Sequence, residues 1–175
     1  AQDEPAADLP RPNEGMEVDW SSRRVSIIIP AHNESHVLPQ CLEQLASQDY
    51  QGAMHIVIVA NGCIDDTIQI ARDWQDRFAA LGHELQIVDL ETPGKGNALN
   101  TGDACADDGI RVYLDADTEL SRNAISEVVR IFTENPHVKL AAPKLAVADS
   151  NSIFTRCYGQ TWAELPYIRN DVVGC

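Results

Sequence analysis

Asp115 and Asp117 stand one residue apart in Asp115-Ala116-Asp117-Thr118, directly after the apolar run of residues 110–114. On an extended segment the two carboxylates point to the same side. Two hard oxygen ligands so placed suit one divalent ion, Mg or Mn being the natural choices. Buried acids are costly unless they are paired or hold a cation. An isolated Asp-x-Asp also serves as an Asx turn or helix cap after a strand, so the company it keeps decides its meaning. That company is Pro30-Ala31-His32-Asn33-Glu34, Asn61-Gly62-Cys63-Ile64-Asp65-Asp66-Thr67 and Gly94-Lys95-Gly96-Asn97-Ala98-Leu99-Asn100. Carboxylates and amides present directional acceptors and donors that suit a base edge and ribose hydroxyls. A lysine between two glycines suits phosphate, because the backbone approaches closely and the ammonium supplies charge. A metal on the acidic tetrad would bridge a diphosphate and stabilise it as a leaving group. Each group also has a plainer use. Glu34 complements a helix dipole, Asp65 caps a helix, Lys95 serves as a solvated loop lysine, and Gly94 and Gly96 permit positive φ.

The elements between these segments must position them. Residues 25–29 and 55–60 are compact runs rich in Val and Ile that read as buried parallel strands. Residues 85–90 and 111–114 supply a third and a fourth strand. Pro30 ends the first strand, Asn33 and Ser35 offer caps, and Pro39 sits near a helix start. Leu38, Cys41, Leu42 and Leu45 make that helix's apolar stripe. Ile68, Ala71, Trp74, Phe78 and Leu81 recur at helical spacing and predict one helix, stopped by Gly82. A short helix follows over 97–106. Another, capped by Ser121, carries Ile125, Val128, Val129 and Phe132, and residues 138–147 read as a further strand. Strands alternating with helices predict an α/β fold with a mostly parallel, three-layer, Rossmann-like sheet. Ligands bind such sheets at the carboxyl ends of the strands, where 30–34, 60–66 and 115–118 fall. The loop 93–97 enters a helix rather than leaving a strand directly.

Composition narrows the partners. The chain has 175 residues, 44% hydrophobic, and a net charge of -14. That acidity argues against nucleic acid or an anionic membrane surface as a partner, and obliges any site for a phosphorylated ligand to supply local cations. Residues 1–23, rich in Pro, Ala, Asp and Glu, read as a disordered acidic arm, with one domain over 24–175. The five cysteines show no CxxC pair or zinc spacing, which favours buried thiols in a reducing compartment. No apolar stretch reaches membrane-spanning length. Phe154, Tyr158 and Trp162, four apart, read as a core stripe.

In order and spacing, these motifs resemble those of the family 2 glycosyltransferases, inverting enzymes with the GT-A nucleotide-diphospho-sugar transferase fold. Residues 25–34 look like the family's opening strand and donor loop, and 61–67 like its second-strand motif. Residues 94–102 look like its lysine-glycine helix entry, and 115–118 like its DXD motif. Each motif is weak alone, and the four together in order are specific. The resemblance implies a metal-dependent, inverting transfer of a sugar from a nucleoside-diphosphate donor to an acceptor hydroxyl, with Mn or Mg as the cofactor. It implies that Pro30, Ala31, Asn33 and Glu34 line the nucleoside, Glu34 toward the ribose. Asn61 and Asp65 would frame the base, Lys95 would lie near the base or diphosphate, Asp115 would approach the ribose or sugar, and Asp117, with Asp115, would hold the metal. His32 stands where the family is often aromatic or small and receives no role. The acceptor, be it glycan, lipid or small molecule, is not encoded in these motifs.

The family's catalytic base has no match before the chain stops. Gly174-Cys175 looks like the start of the strand that precedes it, and Asp171 comes too early. The domain over 24–175 is therefore expected to be the donor-binding part, incomplete at its C-terminus, with the base beyond Cys175. The intact protein is expected in the cytoplasm, at the inner face of the membrane where it associates with one. A second reading is a non-catalytic nucleotide-sugar-binding module. A third, a nucleotidyltransferase, would want a glycine-rich basic first loop, which 30–34 is not. Neither a P-loop nor GxGxxG spacing is present.

Overall fold

The computed structural model describes residues 24–141. The expected arm over 1–23, the stripe Phe154, Tyr158 and Trp162, and Asp171 lie outside the described residues. Four strands and five helices alternate: β1 Val25–Ala31, α1 Leu38–Ala46, β2 Met54–Asn61, α2 Thr67–Asp73, α3 Gln75–Ala80, β3 Glu84–Leu90, α4 Lys95–Cys105, β4 Ile110–Tyr113 and α5 Ala124–Glu134. The strands form one wholly parallel sheet in the order β3-β2-β1-β4. β1 and β2 are central and covered on both faces, which is why they read as unbroken apolar runs rather than alternating ones. The α/β class and the layering inferred from the sequence hold.

The two faces are unequal. On one, Ile27, Ile29, Ile56 and Ile58 pack with Leu38, Leu42 and Leu45 of α1, Phe78 of α3, and Ile125 and Val129 of α5. On the other, Val57 and Val59 pack with Ala98 of α4. Gly102 makes that second contact possible. A Cβ there would run into Ile28 Cγ2 and lie 3.3 Å from Val59 Cγ2, so only a glycine lets α4 sit this low on the sheet.

Several boundaries differ from the sequence-based expectation. The helix predicted through Ile68 and Leu81 is two helices, broken at Trp74. The Trp74 N–H bonds Ala71 O three residues back, its ring packs on Phe78, and the Arg77 guanidinium lies 4.5 Å from its centroid. The indole keeps its contacts with Arg77 and Phe78 across the break, and Leu81 is left exposed. β3 and β4 each begin one residue earlier than expected, and α4 begins at Lys95 rather than Asn97. α5 starts at Ala124, with Asn123 at the cap position. Ser121 instead donates to Asn123 Oδ1. Of the strand expected over 138–147, only residues through 141 are described, with an isolated bridge at Leu140.

At the amino ends of the strands, a charged cluster joins consecutive elements. Arg24 pairs with Glu84 and, at 3.3 Å, with Asp107, whose carboxylate also lies 3.2 Å from His55 Nδ1. Chemistry gathers at the opposite end.

Candidate donor site at the switch point of the sheet

The sheet reverses its winding between β1 and β4, and parallel sheets open a crevice at such a point. Here the crevice is widened by unequal strand lengths. β4 ends at Tyr113 opposite Ile28, while β1 runs on to Ala31. The last bond between the two strands is Leu114 N–H to Ile28 O at 3.0 Å. By strand alternation, Pro30 is the next residue of β1 to face β4, and it has no N–H to offer. The ladder stops there without leaving a donor orphaned, and the chain from Asp115 onward turns away. The resulting cleft, about 190 Å³, is lined by Pro30, His32, Glu34, Asn61, Lys95, Asp115, Ala116 and Asp117. A larger groove of about 420 Å³, beside α1, is lined by Glu43, Gln44, Ser47, Leu120 and Arg122. It holds none of the motif residues, so the smaller cleft is the chemically meaningful one.

Ala116 is buried while Asp115 and Asp117 are exposed, so the two carboxylates flank a residue anchored in the core. Lys95 Nζ donates to Asp115 Oδ1 at 2.7 Å, with both side chains more than half exposed. Asp117 also acts on the core. Burial, with the nearby Asp117 charge, pushes the Cys41 thiol up to about 11. Cys41 is therefore an inert, protonated thiol. Among the described residues, no three His, Cys, Asp or Glu side chains gather into a metal shell. Asp115 and Asp117 supply hard oxygens suited to Mg or Mn, which typically take one or two carboxylates and complete their shell with water and substrate phosphate. The donor set fits such an ion as a partial one.

Asn61, nearly buried at the end of β2, accepts from the Gly94 N–H through Oδ1 at 2.6 Å. Its backbone carbonyl accepts from His32 Nδ1 at 2.5 Å. The amide thereby holds the loop that presents Lys95. Against the same turn, Gly62 has φ +63°, and a Cβ would lie 2.6 Å from Pro93 Cγ. Only glycine meets both demands.

Asp65 does not line the cleft. Its carboxylate accepts from Ser35 N–H at 3.1 Å, Thr67 N–H at 3.1 Å and the Thr67 hydroxyl at 2.5 Å. Burial works to raise its pKa, yet these bonds hold the carboxyl well below the usual carboxylate range. The Thr67 hydroxyl accepts in turn from Glu34 N–H at 2.8 Å. Asn33, at φ +57°, places its Oδ1 2.8 Å from the Ile64 N–H that donates to it. Cys63 Sγ lies 3.4 Å from both Ala31 O and Asn33 N. Asp65, Asn33 and Cys63 therefore stitch the loop after β1 to the loop after β2. Ala31 is buried within the sheet end.

Two features escaped the sequence reading. His32, given no role, lines the cleft with its ring tethered to the Asn61 carbonyl, so Nδ1 carries the proton and Nε2 is the acceptor, 3.5 Å from the Asn33 side-chain amide nitrogen. The loop 91–94 follows β3 directly, so Lys95 does arrive at a strand's carboxyl end. The only available signal for His32 was its place two residues past Pro30.

Residues 26–172 match the family described as Glycosyl transferase family 2. The chain belongs to that family. Among curated relatives, the poly-beta-1,6-N-acetyl-D-glucosamine synthase of Staphylococcus epidermidis is 27% identical over 152 residues, covering 86% of this chain and 34% of that protein. The glycosyltransferase AglE of Haloferax volcanii is 36% identical over 94 residues, 53% of this chain and 30% of that protein. The chain thus spans about a third of the length of these relatives. Among solved structures, Staphylococcus aureus TarS 1–349 in complex with UDP superposes with TM-score 0.59 at 20% identity, covering 75% of this chain and 44% of that one. The mannosyltransferase PcManGT of Pyrobaculum calidifontis, in complex with GDP-Man and Mn2+, gives TM-score 0.53 at 27% identity over 73% of this chain and 35% of that one. The fold is that of the GT-A glycosyltransferases. No described helix is long and apolar enough to cross a membrane.

Proposed function

We propose that the intact protein transfers a sugar from a nucleoside-diphosphate donor to an acceptor hydroxyl with inversion, using Mn or Mg, and that this chain supplies the donor-holding part. The observation that carries the reading is the single cleft in which Pro30, His32, Glu34, Asn61, Lys95, Asp115 and Asp117 meet from separate segments, in a chain of this family. The neighbours solved with UDP, with UDP-GlcNAc, and with GDP-Man and Mn2+ support a nucleotide sugar as the ligand class.

In this reading Glu34 accepts from ribose hydroxyls, while Pro30 and His32 form the wall beside the nucleoside. Asn61 acts on the base side chiefly by holding the Gly94 backbone and hence Lys95. Asp65 and Asn33 act from behind, fixing the loops that carry Glu34 and Ile64. Lys95 offers an ammonium to the diphosphate, offsetting repulsion from a chain of net charge -14. Asp117 and Asp115 hold the divalent ion, which when bound neutralises the departing diphosphate.

Asp117→Ala is expected to abolish Mn-dependent binding of the donor while leaving the thermal transition in place, because Asp117 is exposed. Calorimetric titration with UDP-, GDP- and dTDP-sugars, with and without Mn, is the test. Equal donor affinity of wild type and variant under both conditions would overturn the assignment.

A further inference from the structure

We propose that Lys95 is the resident counter-ion of Asp115 in the donor-free protein, so that a divalent ion competes with the lysine for Asp115 until a donor diphosphate draws the lysine away. This rests on the reading of the cleft as a donor site and adds a coupling to it: a donor diphosphate favours metal loading by releasing Asp115.

The geometry is direct. Lys95, the first residue of α4, reaches across the cleft to the segment after β4, and its Nζ lies 2.7 Å from Asp115 Oδ1. An ammonium held on Oδ1 disfavours a divalent cation on the same carboxylate, through repulsion between the two cations. Asp117, by contrast, has no cation partner among the described residues. The protein therefore presents one open carboxylate and one that is already neutralised. The shell is also incomplete, since no third acid, histidine or cysteine joins the pair among the described residues. An octahedral ion in this place needs further oxygen ligands, and a diphosphate is the natural supplier.

The latch is weak enough to open. Both partners are more than half exposed, 63% for Lys95 and 54% for Asp115, and ion pairs so placed shift an equilibrium by only about twofold to fivefold. A diphosphate, with more charge than one carboxylate, competes successfully for the ammonium. Lys95 then changes partner without leaving the cleft. One cation thus does two jobs: it quenches the acidic pair when the site is empty and attracts the anionic donor when one arrives.

The test is the binding of Mn2+ alone to the full chain, followed by calorimetry and by electron paramagnetic resonance of free Mn2+. Lys95→Met is expected to bind Mn2+ in the absence of nucleotide about threefold or more tightly than wild type, and Lys95→Arg, which keeps a cation on Asp115, about as weakly as wild type. Circular dichroism melts establish that both variants are folded. Equal or weaker Mn2+ affinity in Lys95→Met, with binding still detectable in both proteins and with UDP or GDP still bound, overturns the latch and leaves the donor-site reading standing. Absence of Mn2+ binding in every variant, with and without UDP or GDP, overturns both.

Discussion

Asp65→Ala offers the sharpest test of how the site is built, because Asp65 touches no cleft surface and yet should govern it. Its carboxylate accepts three bonds, from Ser35 N–H, Thr67 N–H and the Thr67 hydroxyl. Bonds to a charged acceptor contribute about 1.5–3 kcal/mol each when fully effective. Asp65 is only half-buried, and its loops are partly open to water, so the sum is well below three times that figure. Loss of a helix-start acceptor alone costs about 0.5–2 kcal/mol. Truncation additionally leaves the hydroxyl of the wholly buried Thr67 without its acceptor. A total of about 2–4 kcal/mol follows for Asp65→Ala, and about 1–2 kcal/mol for Asp65→Asn, which keeps one acceptor oxygen but not the charge. Urea denaturation reads this as a fall in midpoint of roughly 1–2 M, with the slope unchanged. The pH dependence gives a second handle. The folded-state value of Asp65 is depressed, so its contribution is complete above the unfolded aspartate value of about 3.9 and is lost as pH falls through the folded value. The gap between wild type and Asp65→Asn should therefore be widest at neutral pH and narrow below about pH 4. Because Thr67 also accepts from Glu34 N–H, donor affinity should fall with stability. A cost below about 0.5 kcal/mol at pH 7, or a gap that stays constant into acid, would refute the account of Asp65 as the staple between the two loops.

Further outcomes follow from packing and from the turn at Asn61. Gly102→Ala should lower stability by about 1–3 kcal/mol, read by thermal denaturation, since its methyl group would meet Ile28 and Val59 under α4; an unchanged transition would mean α4 is not seated as described. Asn61→Ala should cost about 1–3 kcal/mol by orphaning the Gly94 N–H, and weaken donor binding through Lys95. Urea titration and nucleotide calorimetry would separate the two effects, and intact donor affinity would show that the amide does not position the lysine.

The central architecture was legible because burial leaves a strong mark on composition. Residues 25–29 and 55–60 sit between helices on both faces, so nearly every side chain there must be apolar. The stripe Leu38, Cys41, Leu42 and Leu45 is buried as its period demands. Boundaries were less legible, and one of them depends on a partner distant in sequence. At Trp74 the helix breaks, its N–H bonding Ala71 O three residues back, although Arg77 and Phe78 lie against the indole at ordinary helical spacing. The start of α4 at Lys95 follows from Gly94 being held by Asn61. Nothing local to residues 94–97 announces that start.

By itself, the amino-acid sequence determined which chemical groups this protein can bring to a ligand: an acidic pair, a lysine between glycines, amides and carboxylates after apolar strands. It determined the alternation that folds them into a parallel sheet, because hydrophobic period and turn chemistry act over a few residues. Tertiary structure decided which of those groups share a cleft and which serve as scaffolding. Asp65 and Asn33, equal to Glu34 as candidates in the sequence, are consumed in joining two loops, while His32 is turned into the cleft by a backbone carbonyl 29 residues away. Asp115 and Lys95, 20 residues apart, become an ion pair only because β4 ends short of β1 and α4 begins beside the gap. Hydrogen bonds and ion pairs act over about 3 Å, and only the fold sets which atoms come that close.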